Sequence, residues 1–332
     1  MTTFSRRTLL SVTGAAGVAA VLAACSDTGA DGKSVSESSA SSSASGGAES
    51  YDTIINSGPV ASDDEVSAST WASAVKKAGT FKIGGTKTNQ VFSLEDPTTG
   101  KVTGFDAAIS QLLARYILGG DDASSLVEIT QATSDTRETL LENGSVEAVF
   151  ATYTITPERA EKITFAGPYY ESGQTVLVKA DNDKITGVTS LTSGVKVAVQ
   201  ANSTSVQAVT EHAPDAEQVQ FETDSDCVAA VEAGQVDAYV LDEAVLLATV
   251  ASNDNVKLVG EPFTTEPYGI GLPKDSDGQA FVNAFLAKID EDGTWTKVWE
   301  NTIGSITHGT APEPPVIGSV EGAATASATP TA

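Results

Sequence analysis

Residues 151–178, ATYTITPERAEKITFAGPYYESGQTVLV, place an arginine in the first turn of a predicted helix. Thr156 reads as the N-cap and Pro157 as the first helical residue, so Glu158 and Arg159 fall where free N–H groups and the helix dipole favour anions. A cation there is mildly unfavourable by itself. It becomes useful if Arg159, the amide ends and the hydroxyls of Thr154 and Thr156 converge on a carboxylate or phosphate. The alternative is a solvated pair with Glu158 or Glu161. Arg137, in TSDTRETLLENG, holds a similar first-turn position beside Asp135 and Glu138, and after Arg7 the chain has only Arg115, Arg137 and Arg159.

Other polar residues gather at the predicted ends of strands. Asp242 sits between strand VDAYVLD and helix EAVLLATVA, where it serves as an N-cap, as the partner of an ammonium, or as both. In VQANSTS, Ser203, Thr204 and Ser205 join a strand to a helix, either as caps or as a second anion-holding lip. Lys87 and Phe92 follow the first predicted strand on a loop facing the same cleft; a loop lysine is usually solvated and a loop phenylalanine usually packs locally. Enzyme signatures are thin. The two histidines, His212 and His308, are too few and too far apart for a His-based triad or an ordinary zinc site, and no Walker-type or GxGxxG loop stands out. Neither a metal nor a cofactor is expected.

Positioning these residues requires strands alternating with helices, and the order TFKIGG, GFDAAISQLLARYIL, SLVEIT, TRETLLENG, VEAVFAT has that pattern, implying an α/β fold with parallel sheets. LLENGSVEAVFAT can be laid over AVEAGQVDAYVLD, so Gly144 matches Gly234 and Glu147 matches Asp237. Each copy is a helix, a C-terminal Gly and a strand opening Val-acid-Ala, which implies two similar lobes. Ligands of open α/β sheets collect beyond the carboxyl ends of strands, here Thr152 to Thr154 in one copy and Asp242 in the other.

The termini concern location. Arg6 and Arg7 precede an apolar stretch ending in Leu22-Ala23-Ala24-Cys25, which resembles a lipobox; residues 1–24 then form a lipoprotein signal peptide and Cys25 carries the lipid. Residues 25–69 are expected to be a disordered Ser/Ala/Gly-rich tether, and residues 308–332 a disordered tail. Cys227, the remaining cysteine, is expected to be a buried inert thiol. The net charge of −25 argues against nucleic acid as a partner.

Together the lipobox, GFDAAISQLLA, RETLLENGSVEAVFATYTITPERAEKITFAGPYYESGQTVLVK and VDAYVLDEA resemble the type II, family 3 solute-binding proteins of amino-acid ABC importers, with glutamate-binding lipoproteins nearest in look. The resemblance implies a two-lobe, periplasmic-binding-protein-like α/β fold with two hinge crossings. Lobe 1 would span 70–172 and 263–307, and lobe 2 would span 173–262. It also implies that Arg159 grips the α-carboxylate beside Thr154 and that Asp242 meets the α-ammonium. Thr152 would contribute a carbonyl, Gln200, Ser203 and Thr204 the opposing loop, and Phe92 an aromatic wall. Arg137 matches a basic position of acidic-amino-acid binders, with Lys87 as a second cation, and near Ser134 this chain is small and polar where glutamine binders carry an aromatic. The implied protein is a monomer, lipid-anchored on the extracytoplasmic face of the cell membrane. It takes L-glutamate or L-aspartate and serves permease and ATPase subunits. A sensor of the same fold, or an enzyme of the dehydratase or transglycosylase type, are the alternatives.

Overall fold

A computed structural model describes residues 49–323. Two five-stranded sheets organise it, and the chain order within them explains how the polar residues meet. The first sheet runs 127–131, 81–85, 148–150, 266–272, 164–172; the second runs 217–221, 196–200, 238–242, 174–179, 256–259. In each, the first three strands are parallel, and the fourth runs opposite to both of its neighbours. Central strands such as Ala238–Asp242 are buried along their whole length, as expected where helices cover both faces.

The internal repeat has a structural counterpart. Gly144 and Gly234 follow their helices with φ of 70° and 69°, the left-handed conformation that glycine adopts without penalty. The acid two residues after each following serine or glutamine turn then clamps the neighbouring strand. Glu147 accepts from the Lys82 N–H at 2.7 Å and Asp237 accepts from the Lys196 N–H at 2.8 Å. One device therefore sets the start of a parallel strand in both sheets.

The chain crosses between sheets twice, at 172–174 and between 259 and 266. These crossings touch at Gly173, where a Cβ would lie 2.5 Å from the Thr264 carbonyl oxygen. Close backbone approach requires glycine there. Gln174 reinforces the contact, its N–H donating to the Thr264 hydroxyl at 2.9 Å.

Two expectations need correction. Residues 51–57 and 63–67 are helices, where a tether through residue 69 was expected. Ser62 and Glu65 form a capping box, and Ile54, Ile55 and Val66 are buried in the main core. The Ser-rich composition upstream masked this short apolar pattern. The tail is ordered as well: the Gly318 N–H donates to the Gly167 carbonyl at 2.8 Å, and Ala323 is buried with Val320 packed beside it against a cluster containing Tyr153, Ile155 and Phe165. A few small apolar residues suffice because they land on apolar surface already formed. The signal peptide, Cys25, the tether up to residue 48 and the tail beyond residue 323 lie outside the described residues.

Replacing Ile55 by Ala should destabilise the protein by about 2–4 kcal/mol, the usual range for emptying a filled core site. Urea denaturation measures this, and a loss below about 0.5 kcal/mol would mean that the first helix is not part of the cooperative fold.

Candidate functional site

Between the strand ends of the two sheets lies a cavity of about 200 Å³. Loop residues after both sets of strands line it, including Ser134, Thr152 and Thr154 from the first sheet and Gln200, Ser203 and Thr204 from the second. Among the described residues, its charged lining residues are Arg137, Asp224 and Asp242. Sheet order gives the cavity a direction. Asp242 ends a strand beside the crossing strand 174–179, whereas Ser134 and Asp224 follow the edge strands 127–131 and 217–221.

At the crossing end, Asp242 opens helix Glu243–Ser252 but makes no side-chain capping bond. Its carboxylate instead accepts from the Gln174 amide and from the Tyr268 hydroxyl, the latter at 2.7 Å. Burial, followed by the nearby Glu266 charge, pushes its pKa up to about 7, opposed by Tyr268, Arg137 and Arg159. Ser203 is likewise no side-chain cap; its hydroxyl donates to the Gln200 carbonyl at 2.7 Å. Both residues are thus positioned by bonds that helix capping does not require.

Thr152 is held in an unusual conformation, φ 43°, which is uncommon for a β-branched residue and requires support. Asp106 supplies it. This buried carboxylate accepts the Thr152 N–H at 2.9 Å and the Tyr169 hydroxyl at 2.7 Å, and burial pushes its pKa up to about 6 despite those bonds. Asn202 on the opposite loop also has positive φ, 57°, which asparagine tolerates.

The two arginines share Tyr153. The Arg137 Cζ lies 3.9 Å and the Arg159 Cζ 5.1 Å from its ring centroid, within cation–π range. Arg137 donates to the Ala151 carbonyl at 3.1 Å, and its buried Nε has no partner. Burial, then repulsion from Arg159, push its pKa down to about 9. Arg159 lies in helix Pro157–Ala160, capped by Thr156 as its sequence predicts. It donates to the Thr154 carbonyl at 2.8 Å and, across the cleft, to the Asn202 carbonyl at 3.2 Å. The Asn202 amide in turn donates to Asp135. Neither arginine has a salt bridge among the described residues, which rules out the pairing of Arg159 with Glu158 or Glu161 in this structure.

Arg137, Thr152, Thr154, Gln200, Ser203, Thr204 and Asp242 therefore meet at one cavity, while Arg159 borders an adjoining recess with Asn202, Ser203 and Thr204. Two expected residues are elsewhere. Lys87 faces Glu95 at 3.3 Å and lines a separate recess with Lys101 and Glu128. Phe92 is fully buried, its ring packed on Phe105, Tyr170 and Tyr268, so it is core and is not part of the lining of this cavity. The sequence reading missed Gln174, Tyr268, Asp106, Asn202 and Asp224. Only Asp106 carried a local signal, an acid in the first turn of a mostly apolar helix whose buried residues include it. Cys227 is a buried free thiol with its pKa pushed up by burial to about 12, as expected of an inert site.

Residues 81–305 match the family described as bacterial extracellular solute-binding proteins, family 3, and the chain belongs to it. It is 38% identical over 221 residues to the ABC transporter glutamine-binding protein of Bacillus subtilis (strain 168), covering 66% of this chain and 80% of that one. It is 32% identical over 231 residues to a glutamate-binding protein of Corynebacterium glutamicum, covering 66% and 77%. Among solved structures, an ancestral amino-acid-binding protein described as a precursor of cyclohexadienyl dehydratase aligns at TM-score 0.63 and 34% identity, covering 71% of this chain and 99% of that one. An ancestral arginine-binding protein bound to glutamine aligns at TM-score 0.60 and 35% identity, covering 68% and 98%. The fold is the type II periplasmic-binding-protein-like α/β fold, and the relatives named here are amino-acid-binding proteins, one of them described as the precursor of a dehydratase.

The raised pKa of Asp242 makes a prediction. A carboxyl that titrates near 7 when folded and near 3.8 when unfolded favours folding fully below pH 4, and that contribution is lost as pH rises through 7. Asp242→Asn should therefore make the unliganded protein more stable at pH 8 by roughly 1–4 kcal/mol, with a smaller gain at pH 5. Thermal melts at both pH values test this; equal changes at the two would show that Asp242 does not titrate in that window.

Proposed function

We propose that this chain is the extracytoplasmic receptor of an amino-acid ABC importer, lipid-anchored through Cys25, and that it closes on L-glutamate or its amide. The observation that carries this is the meeting of opposite charges at one polar cavity, desolvated Arg137 on its wall and desolvated Asp242 at the crossing end, with Arg159 in the adjoining recess sharing the Tyr153 ring with Arg137. A zwitterion matches that arrangement, its ammonium reaching Asp242 and its α-carboxylate reaching Arg159 in place of the Asn202 carbonyl. The bound ligand would then touch both sheets and shift the population toward the closed state.

Glutamate is supported by Arg137, whose Nε is unpartnered, and by Ser134, which lies on the same wall. Lys87 adds nothing to this while it faces Glu95. Aspartate is one methylene shorter and would reach the outer wall less well. Glutamine is the second reading, favoured by the carboxylate of Asp224 in the cavity.

A thermal-shift screen of the purified protein against the standard amino acids should show stabilisation approaching ~4 kcal/mol for a ligand held about 1,000-fold above its Kd. Arg159→Ala should abolish the shift for every amino acid. Normal binding by that variant overturns the carboxylate assignment, and no shift with any amino acid overturns the receptor reading.

A further inference from the structure

We infer that residues 309–323 form a strap that braces the turn carrying Arg159 from outside and so holds its guanidinium in place for an amino acid. The assignment rests on the amino-acid-receptor reading above. The strap follows the stretch matched to the family, residues 81–305, and is a feature of this chain beyond that match. It begins beside the Trp299 ring, where a Cβ on Gly309 would lie 3.4 Å from the indole edge. Ala311 and Ile317 pack against the main core, and the Gly318 N–H bonds to Gly167 on edge strand 164–172. Pro312, Pro314 and Pro315 restrict the segment before it docks, so seating it costs less entropy.

Its far end reaches the supports of the site. Gly322 has φ 97°, and a Cβ there would lie 3.0 Å from the Ala160 Cβ and 3.3 Å from the Ile155 Cγ2. The strap backbone therefore lies directly on helix Pro157–Ala160 and on the residue before its cap. Ala323 is fully buried in the cluster that contains Tyr153, the ring shared by both arginines. The Gln279 amide fastens this end, donating to the Phe165 carbonyl at 2.7 Å and to the Ala323 carbonyl at 3.5 Å.

The turn needs such a brace. Pro157–Ala160 is a single turn of four residues, and so short a helix depends on packing for its stability. From within, Arg137 and Arg159 are desolvated and repel one another, which favours moving Arg159 out toward water. The polar supports outside are the Thr156 cap and exposed Lys274, which donates to the Ala160 carbonyl at 2.8 Å. The strap supplies apolar support. By touching both the turn and the cluster around Tyr153, it fixes guanidinium and ring against each other. Such preorganisation raises affinity without any contact to the ligand. Every amino acid has an α-carboxylate, so the gain does not depend on the side chain.

Truncation after His308 tests the strap, by isothermal titration with glutamine and glutamate and by hydrogen exchange on the unliganded protein. The truncated chain should bind whichever of the two the wild type binds about tenfold or more less tightly. Exchange of the Ala160, Glu161 and Ile163 amides, bonded to the Thr156, Pro157 and Arg159 carbonyls, should quicken about tenfold or more, while strand 148–150 keeps its rates. Ile55→Ala, which empties a site in a different apolar cluster, should leave the affinity within about twofold. If the truncated chain does not fold by circular dichroism, full-length Gly322→Val, which forces a side chain against Ala160, is read by the same criteria. Unchanged affinity, or equal quickening in strand 148–150, overturns the role of the strap. A wild type that binds neither amino acid overturns the receptor reading instead, and the exchange rates then judge the brace alone.

Discussion

Two buried guanidinium groups packed around a single phenol ring are the constraint on which the site depends. Arg137 and Arg159 repel one another, and removing both from water is expensive. The structure accepts this cost without cancelling their charge. Their polar partners are the carbonyls of Ala151, Thr154 and Asn202, with the Tyr153 ring between them. Carboxylate partners would have neutralised them and left a paired guanidinium with little to offer the anion proposed above. Asp242 solves the opposite problem by the same means, with a phenol and an amide as neutral donors.

Several of these features could be read from sequence because they are local. A threonine cap, a proline at the first helical position and an arginine two residues later determine helix Pro157–Ala160 by themselves. The Val-acid-Ala repeat predicted two similar sheets, and the structure adds the backbone clamp made by Glu147 and Asp237. Asp242 was placed correctly as a strand terminus, though its two possible roles could not be separated until its partners were seen.

What escaped the sequence depends on distant partners. Gln174 and Tyr268 belong to crossing strands separated by nearly the whole second sheet, and nothing near either residue marks it as a donor to Asp242. Phe92 follows a loop that folds back onto the aromatic cluster of Phe105, Tyr170 and Tyr268, so a loop position became a core position. Lys87 was diverted by Glu95, a neighbour only because strands 88–89 and 93–95 pair. The first helices were obscured by the composition of the residues before them, although the Ser62–Glu65 capping box was written in the sequence.

The position of strand 266–272 between 148–150 and 164–172 bears on the order of assembly. The second sheet is drawn from the uninterrupted stretch 174–259 and has all its strands once residue 259 is made. The first sheet began nearly a hundred residues earlier, yet it lacks an interior strand until residue 272 emerges. Its contacts span greater sequence separation, and loop-closure entropy delays such pairings. During synthesis the later half of the molecule can therefore mature first, while the half carrying both arginines stays open until the chain returns.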